Sequence, residues 1–145
     1  MAAPSPKLAL QARATIFCVA CDRDVAARLT KGFEVYPHRP DLGPQPFWVC
    51  DTCRNYVGCH HQTDDPTRPL GVIPTPQLRE ARKHLHALID PVWRGGQTTR
   101  GRLYRAIAMT LGVPEFHTAE LRSVAEAREA YRAAQEVIAG LGVRQ

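Results

Sequence analysis

Cys18-Val-Ala-Cys21 and Cys50-Asp-Thr-Cys53 form two Cys-x-x-Cys pairs with 28 residues between them. Each tight turn brings two sulfurs to one side. Two such knuckles complete a set of four soft ligands, a donor set suited to tetrahedral Zn²⁺ or ferrous iron. One structural Zn²⁺ held by Cys18, Cys21, Cys50 and Cys53 is the expected cofactor. Four buried thiols or two disulfides are the competing readings. Disulfides are disfavoured because nothing marks the chain as secreted and they are rare in the cytosol. The fifth cysteine, Cys59, precedes His60 and His61. A ligand role for this trio is secondary, since two complete pairs already saturate zinc.

The elements that must position these thiols are short. Arg13 to Phe17 reads as a strand entering the first knuckle, and Phe47 to Val49 as one entering the second, which Asn55 to Gly58 leaves. Val25–Leu29 and Phe33–Tyr36 read as a hairpin turning at Thr30-Lys31-Gly32. Pro37, Pro40, Pro44 and Pro46 exclude a helix or central strand from the stretch between them. The expected domains are a flexible tail over 1–12, a zinc ribbon with its connector over 13–73 and a helical unit over 74–145.

The helical unit has clear punctuation. Thr75 and Pro76 open a first helix, whose apolar stripe is Leu78, Ala81, Leu85, Leu88, Ile89 and Val92; Pro91 kinks or ends it, and Gly95-Gly96 break it. A second runs from Thr98 or Thr99 to Leu111, with Leu103, Ile107 and Leu111 inside and Gly112 as its cap. A third is expected after Thr118, reaching Ala139 with Leu121, Val124, Tyr131, Ala134 and Ile138 inside and Gly140 as stop. The predicted fold class is therefore α+β: short antiparallel strands with two knuckles, packed with a C-terminal unit of about three helices.

Charge points to a partner. The 145 residues carry a formal +5. Arg79, Arg82, Lys83, Arg94, Arg100, Arg102 and Arg105 face only Glu80 and Asp90 between residues 79 and 105, so this stretch holds the whole excess. Arg79, Arg82, Lys83 and His86 share one helix face by spacing, a pattern suited to phosphates. Nucleic acid, DNA or RNA, is the leading partner, through Arg79, Arg82, Lys83, Arg100, Arg102 and Arg105, with Arg39 adding a contact from the proline-rich loop. A solvated helix face is the bland alternative. His86 and Asp90, at i and i+4, read as a structural pair. No stretch is long and apolar enough to span a membrane, and no signal peptide opens the sequence, so a soluble, intracellular protein is expected.

Together, Cys18-x-x-Cys21, Tyr36-Pro-His-Arg-Pro-Asp-Leu42, Phe47-Trp-Val-Cys-x-x-Cys53, Tyr56-Val-Gly-Cys-His60, Pro69-Leu-Gly71, Leu78-Arg79, His86 and Asp90-Pro-x-Trp93 resemble a family. It is the zinc-finger-containing domain family of unknown function found in small phage and prophage proteins. The resemblance covers roughly residues 15 to 115 and implies a metal site at the four paired cysteines. It also implies work in the cytoplasm of a bacterial host, on nucleic acid or on a protein of host or phage. For a protein partner, Trp93, Tyr104 and Phe116 would be the anchors. The chain is also similar in part to His-Asn-His nucleases, which carry Cys-x-x-Cys pairs on either side of a catalytic segment. A metal-dependent nuclease would have to draw its ion ligands and base from His38, Asp41 and His60. It departs from that pattern in having no acidic residue directly before His38 and no Asn before the second knuckle.

Overall fold

A computed structural model describes residues 12–143. The tail expected over 1–12 lies outside the described residues, Ala12 apart. The fold is α+β, and the chain divides into two compact units at Thr75–Pro76. Among the described residues no helix is long and apolar enough to cross a membrane.

The first unit is an antiparallel meander of four strands in the order β1-β2-β3-β4: β1 Arg13–Cys18, β2 Arg23–Lys31, β3 Pro46–Val49 and β4 Tyr56–Gly58. Alternation along the strands sorts its two faces. Ile16, Ala27, Trp48 and Val57 point one way and form a buried cluster with Cys18, Cys50, Cys59 and Ile73. On the other face Tyr36, Phe47 and Tyr56 meet edge to face, with ring centroids 5.1–5.8 Å apart. The connector then ties the two outer strands together. Leu70 donates to the Gly58 carbonyl at 3.0 Å, and Ile73 donates to Phe17 at 2.8 Å while accepting from Val19 at 3.0 Å.

The hairpin expected at Thr30-Lys31-Gly32 does not form. Arg23–Lys31 is one uninterrupted strand, paired with β1 on one side and β3 on the other. Gly32–Val35 is a single helical turn, α1. Gly32 serves close approach rather than a turn, because a Cβ there would overlap the Leu42 carbonyl oxygen. The β1–β2 hairpin turns at the first knuckle instead.

The second unit contains α2 Pro76–Arg94, α3 Arg100–Leu111 and α4 Val124–Val143. Its buried residues include Leu78, Leu85 and Ile89 of α2, Leu103 and Ile107 of α3, and Ala127, Ala130, Ala133 and Ala134 of α4. Pro91 lies inside α2, which ends three residues later; Gly96 follows in the left-handed region at φ 84°. The Thr99 hydroxyl caps α3 by accepting from the Arg102 amide, and Gly112 closes it at φ 73°. α4 begins later than expected. Thr118–Glu120 is a separate 3-10 turn, and the helix starts behind Ser123, whose hydroxyl accepts from the Glu126 amide while the Glu126 carboxylate accepts from Arg122. This resembles a capping box. Gly140 does not stop the helix, which continues to Val143.

Candidate metal centre and basic helices

Both knuckles are hairpin turns, and both use the same backbone device. Asp22, directly after Cys21, and Arg54, directly after Cys53, have φ of 53° and 68°. They are the two non-glycine residues with positive φ among the described residues. A left-handed residue at that point turns the chain back into the sheet once the second thiol has been presented. The Cys18–Arg23 pair closes the first turn, and the Cys50 amide donating to Asn55 at 2.8 Å closes the second.

The four sulfurs converge. Their Sγ atoms lie within 4.8 Å of one another, with Cys18 to Cys53 at 3.4 Å and Cys21 to Cys50 at 3.7 Å. A tetrahedral zinc site with Zn–S bonds of about 2.3 Å sets sulfurs roughly 3.8 Å apart, so these separations bracket the spacing that ion requires. All five cysteines are free thiols. Their acidities have been driven apart. Burial pushes the Cys18 thiol up to about 12, outweighing the help of the Cys21 amide. Burial also raises Cys21. At Cys50 burial is overcome by the Cys53 and Thr52 amides and by the neighbouring thiols, which bring it down to about 7. Four thiolates this close repel one another, and a divalent cation at their centre removes that repulsion.

The second knuckle has an outer brace. Asp51, between its two cysteines, accepts from Arg28 at 2.9 Å and from Arg13 at 3.0 Å. These two guanidiniums hold its carboxyl down at about 2. Arg28 also forks onto Glu34 of α1 at 3.0 and 2.8 Å, and Thr30 donates to the same carboxylate at 2.8 Å. Only 14% of the Arg28 side chain is exposed. Sequence reasoning missed this network. Its only sequence signals are an arginine on the outward register of a strand and an acid inside a Cys-x-x-Cys turn.

Cys59 stands apart from the cluster, inside the unit. Burial raises its thiol to about 11, partly offset by Trp48. The Trp48 indole N–H donates to the Thr67 carbonyl at 2.6 Å, pinning the connector over this spot. His61 Nδ1 lies 3.4 Å from the Cys59 carbonyl, and the His60 amide donates to Arg68. Among the described residues the four paired cysteines are the one group of three or more His, Cys, Asp or Glu side chains placed to hold an ion. His38, Asp41 and His60 are not assembled into another. His38 is exposed, and the Asp41 carboxylate accepts from Arg39 at 2.9 and 2.7 Å.

A family model described as a zinc-finger-containing domain matches residues 14–137. The chain belongs to that family. The match spans both units, so this zinc-finger-containing domain includes the helices as well as the cysteine-bearing sheet. No curated protein and no solved structure matches the chain.

In the helical half of the domain, the face shared by Arg79, Arg82, Lys83 and His86 is divided. Arg82 turns inward. Its Nη2 donates to the carbonyls of Ala119 and Leu121 at 2.8 and 2.9 Å, and burial lowers its pKa to about 10. One turn on, His86 Nε2 shares a 3.1 Å hydrogen bond with the buried Thr118 hydroxyl, and its Nδ1 lies 3.5 Å from Asp90. Arg82 and His86 thus fasten the turn that precedes α4, and Arg82 is corrected from phosphate contact to internal brace. Lys83 is exposed, 3.9 Å from Glu80. Arg79 is half-buried. On α3, Arg100 lies over the Tyr104 ring at 4.3 Å, and Arg102 and Arg105 are exposed. Two of the three protein anchors need correcting too: Tyr104 and Phe116 are buried against each other at 5.4 Å, whereas Trp93 is half-buried and donates to Asp90 at 3.1 Å.

Proposed function

We propose that this zinc-finger-containing domain is a non-catalytic nucleic-acid-binding protein, with a zinc ribbon over 13–73 and phosphate contacts made by the helical unit over 74–145. In this reading Cys18, Cys21, Cys50 and Cys53 hold one Zn²⁺, which supplies folding energy to the sheet and takes no part in chemistry. The observation that carries the reading is the charge on α3 and its flanks. From Pro91 to Pro114 the chain has Arg94, Arg100, Arg102 and Arg105 and no acidic residue. Arg102 and Arg105 lie one turn apart, exposed, without an ion-pair partner among the described residues. Arg79 and Lys83 of α2 are further phosphate contacts in this reading, with Lys83 3.9 Å from Glu80. Arg39 contributes less, since Asp41 already occupies its guanidinium fork. The resemblance to phage and prophage proteins supports a setting in the cytoplasm of a bacterial host.

Binding of this kind releases condensed counterions, so affinity falls steeply with salt. The test is titration of zinc-loaded protein against labelled single- and double-stranded DNA and RNA at several salt concentrations, with Mg²⁺ present and products resolved on a denaturing gel. Salt-dependent binding with intact products is expected. Arg102→Ala combined with Arg105→Ala should weaken it and reduce the slope of log affinity against log salt by about 2. Unchanged affinity and slope in that variant would overturn the reading, and cut products would replace it with a nuclease.

A further inference from the structure

A groove of about 770 Å³ runs between α2 and α4, within the helical unit and on residues distinct from the proposed phosphate contacts on α3. Ala81, Ala127 and the half-buried Tyr131 give it an apolar floor with one aromatic ring. The two walls differ in charge. On the α2 side Glu80 is met by its own neighbours, His84 at 3.5 Å and Lys83 at 3.9 Å. On the α4 side stand Arg128 and Arg132, one helical turn apart and both exposed. Neither arginine has a hydrogen-bond or ion-pair partner among the described residues. Two unpaired guanidiniums therefore line the same wall of an apolar trough.

Size narrows the occupant. The trough follows α2 from Gln77 to His84, seven residue steps, or roughly 10 Å at the helical rise. That length suits a small ring system, and the volume lies in the range of small-molecule sites. Two forked cations at i and i+4 match the three oxygens of a phosphate better than the two of a carboxylate. The Tyr131 ring and the alanine floor suit a flat apolar body beside that phosphate. The geometry points to a binding site for an aromatic phosphate monoester of nucleoside monophosphate size, its phosphate on Arg128 and Arg132 and its ring over Ala81, Ala127 and Tyr131. The ligand could come from either of two sources with the same chemistry: a free nucleotide, or the 5′-phosphorylated end of a strand.

The experiment is amide-resolved NMR titration of the zinc-loaded full chain with adenosine 5′-monophosphate, adenosine and inorganic phosphate. Saturable shifts at Ala81, Ala127, Arg128, Tyr131 and Arg132 are expected with the monophosphate, and at least tenfold weaker binding of adenosine and of phosphate alone. Arg128→Ala combined with Arg132→Ala should lower affinity for the monophosphate at least tenfold, with the thermal melt retained because both positions are exposed. Displacement by a 5′-phosphorylated oligonucleotide, but not by its 5′-hydroxyl form, would assign the strand end as source; no displacement by either would assign the free nucleotide. No saturable shift in the groove, equal affinity in the double variant, or phosphate binding as tightly as the monophosphate would each overturn the proposal. None of these results depends on Arg102 or Arg105, so this site and the cationic surface of α3 stand or fall separately.

Discussion

The two units of this chain solve the problem of stability in different ways. In the sheet unit the buried cluster is built from Ile16, Ala27, Trp48, Val57 and Ile73 together with three cysteines. Few aliphatic side chains are available to it, and the sulfurs at its margin would repel one another as bare thiolates. The helical unit buries Leu78, Leu85, Ile89, Leu103 and Ile107, with Tyr104, Phe116 and a run of alanines around them. That is an ordinary apolar core, and none of the five cysteines lies in this unit. A small domain whose core is too thin to fold alone commonly takes a metal as its staple, whereas one with enough buried aliphatic surface does not.

The largest test of this contrast is metal removal. Structural zinc contributes on the order of 10 kcal/mol to folding in small metal modules. Chelation, or Cys50→Ala, should therefore unfold the sheet unit while the helical signal at 222 nm largely persists. Parallel loss of both would mean that the helices also depend on the ion. The converse test is Leu85→Ala, a truncation at a fully buried position that should cost the helical unit about 2–5 kcal/mol. Zinc stoichiometry, read by a chromogenic chelator after protease-free denaturation, should be unchanged.

A smaller effect is expected at the outer brace. Arg28→Ala removes a largely buried guanidinium shared by Asp51 and Glu34 and should destabilise the sheet unit by about 2 kcal/mol. Denaturant melts that follow Trp48 fluorescence would register it, and no change would show that the network is merely decorative. The smallest effect is acid sensitivity at Glu34. The Arg28 hydrogen bonds hold its pKa below the ordinary value of 4.5. Its contribution is thus full above that value and is lost as pH falls through the lowered one. Glu34→Gln should flatten the pH dependence of sheet-unit stability on the acid side of pH 4.5, by less than about 1 kcal/mol because the carboxylate is partly exposed.

Features fixed by covalent spacing or by a backbone rule were legible in the sequence. Two Cys-x-x-Cys pairs can hardly avoid forming knuckles, and Thr99 and Gly112 mark the ends of α3 as capping chemistry dictates. What escaped depended on long-range contact. Gly32 looks like a turn residue until the Leu42 carbonyl is found against it. Arg82 has the spacing of a surface cation, yet two backbone carbonyls left bare by the 3-10 turn draw it inward. Leu121 fits the helical period of α4, but Ser123 with Glu126 offers a better start, so the helix begins behind it. The Arg28–Asp51–Glu34 network joins positions 23 and 6 residues apart, and no local pattern announces it.

The connector that runs from Cys59 to Ile73 has a further consequence. By bonding to Gly58 beside the last strand and to Phe17 and Val19 at the first, it caps main-chain groups on both outer strands of the sheet. Those groups are the usual landing sites for a foreign strand. At the capped positions a partner peptide cannot add itself by backbone pairing, and a second copy cannot template on them. Recognition there has to be done with side chains, and the protection lasts only while the connector stays seated under the Trp48–Thr67 hydrogen bond.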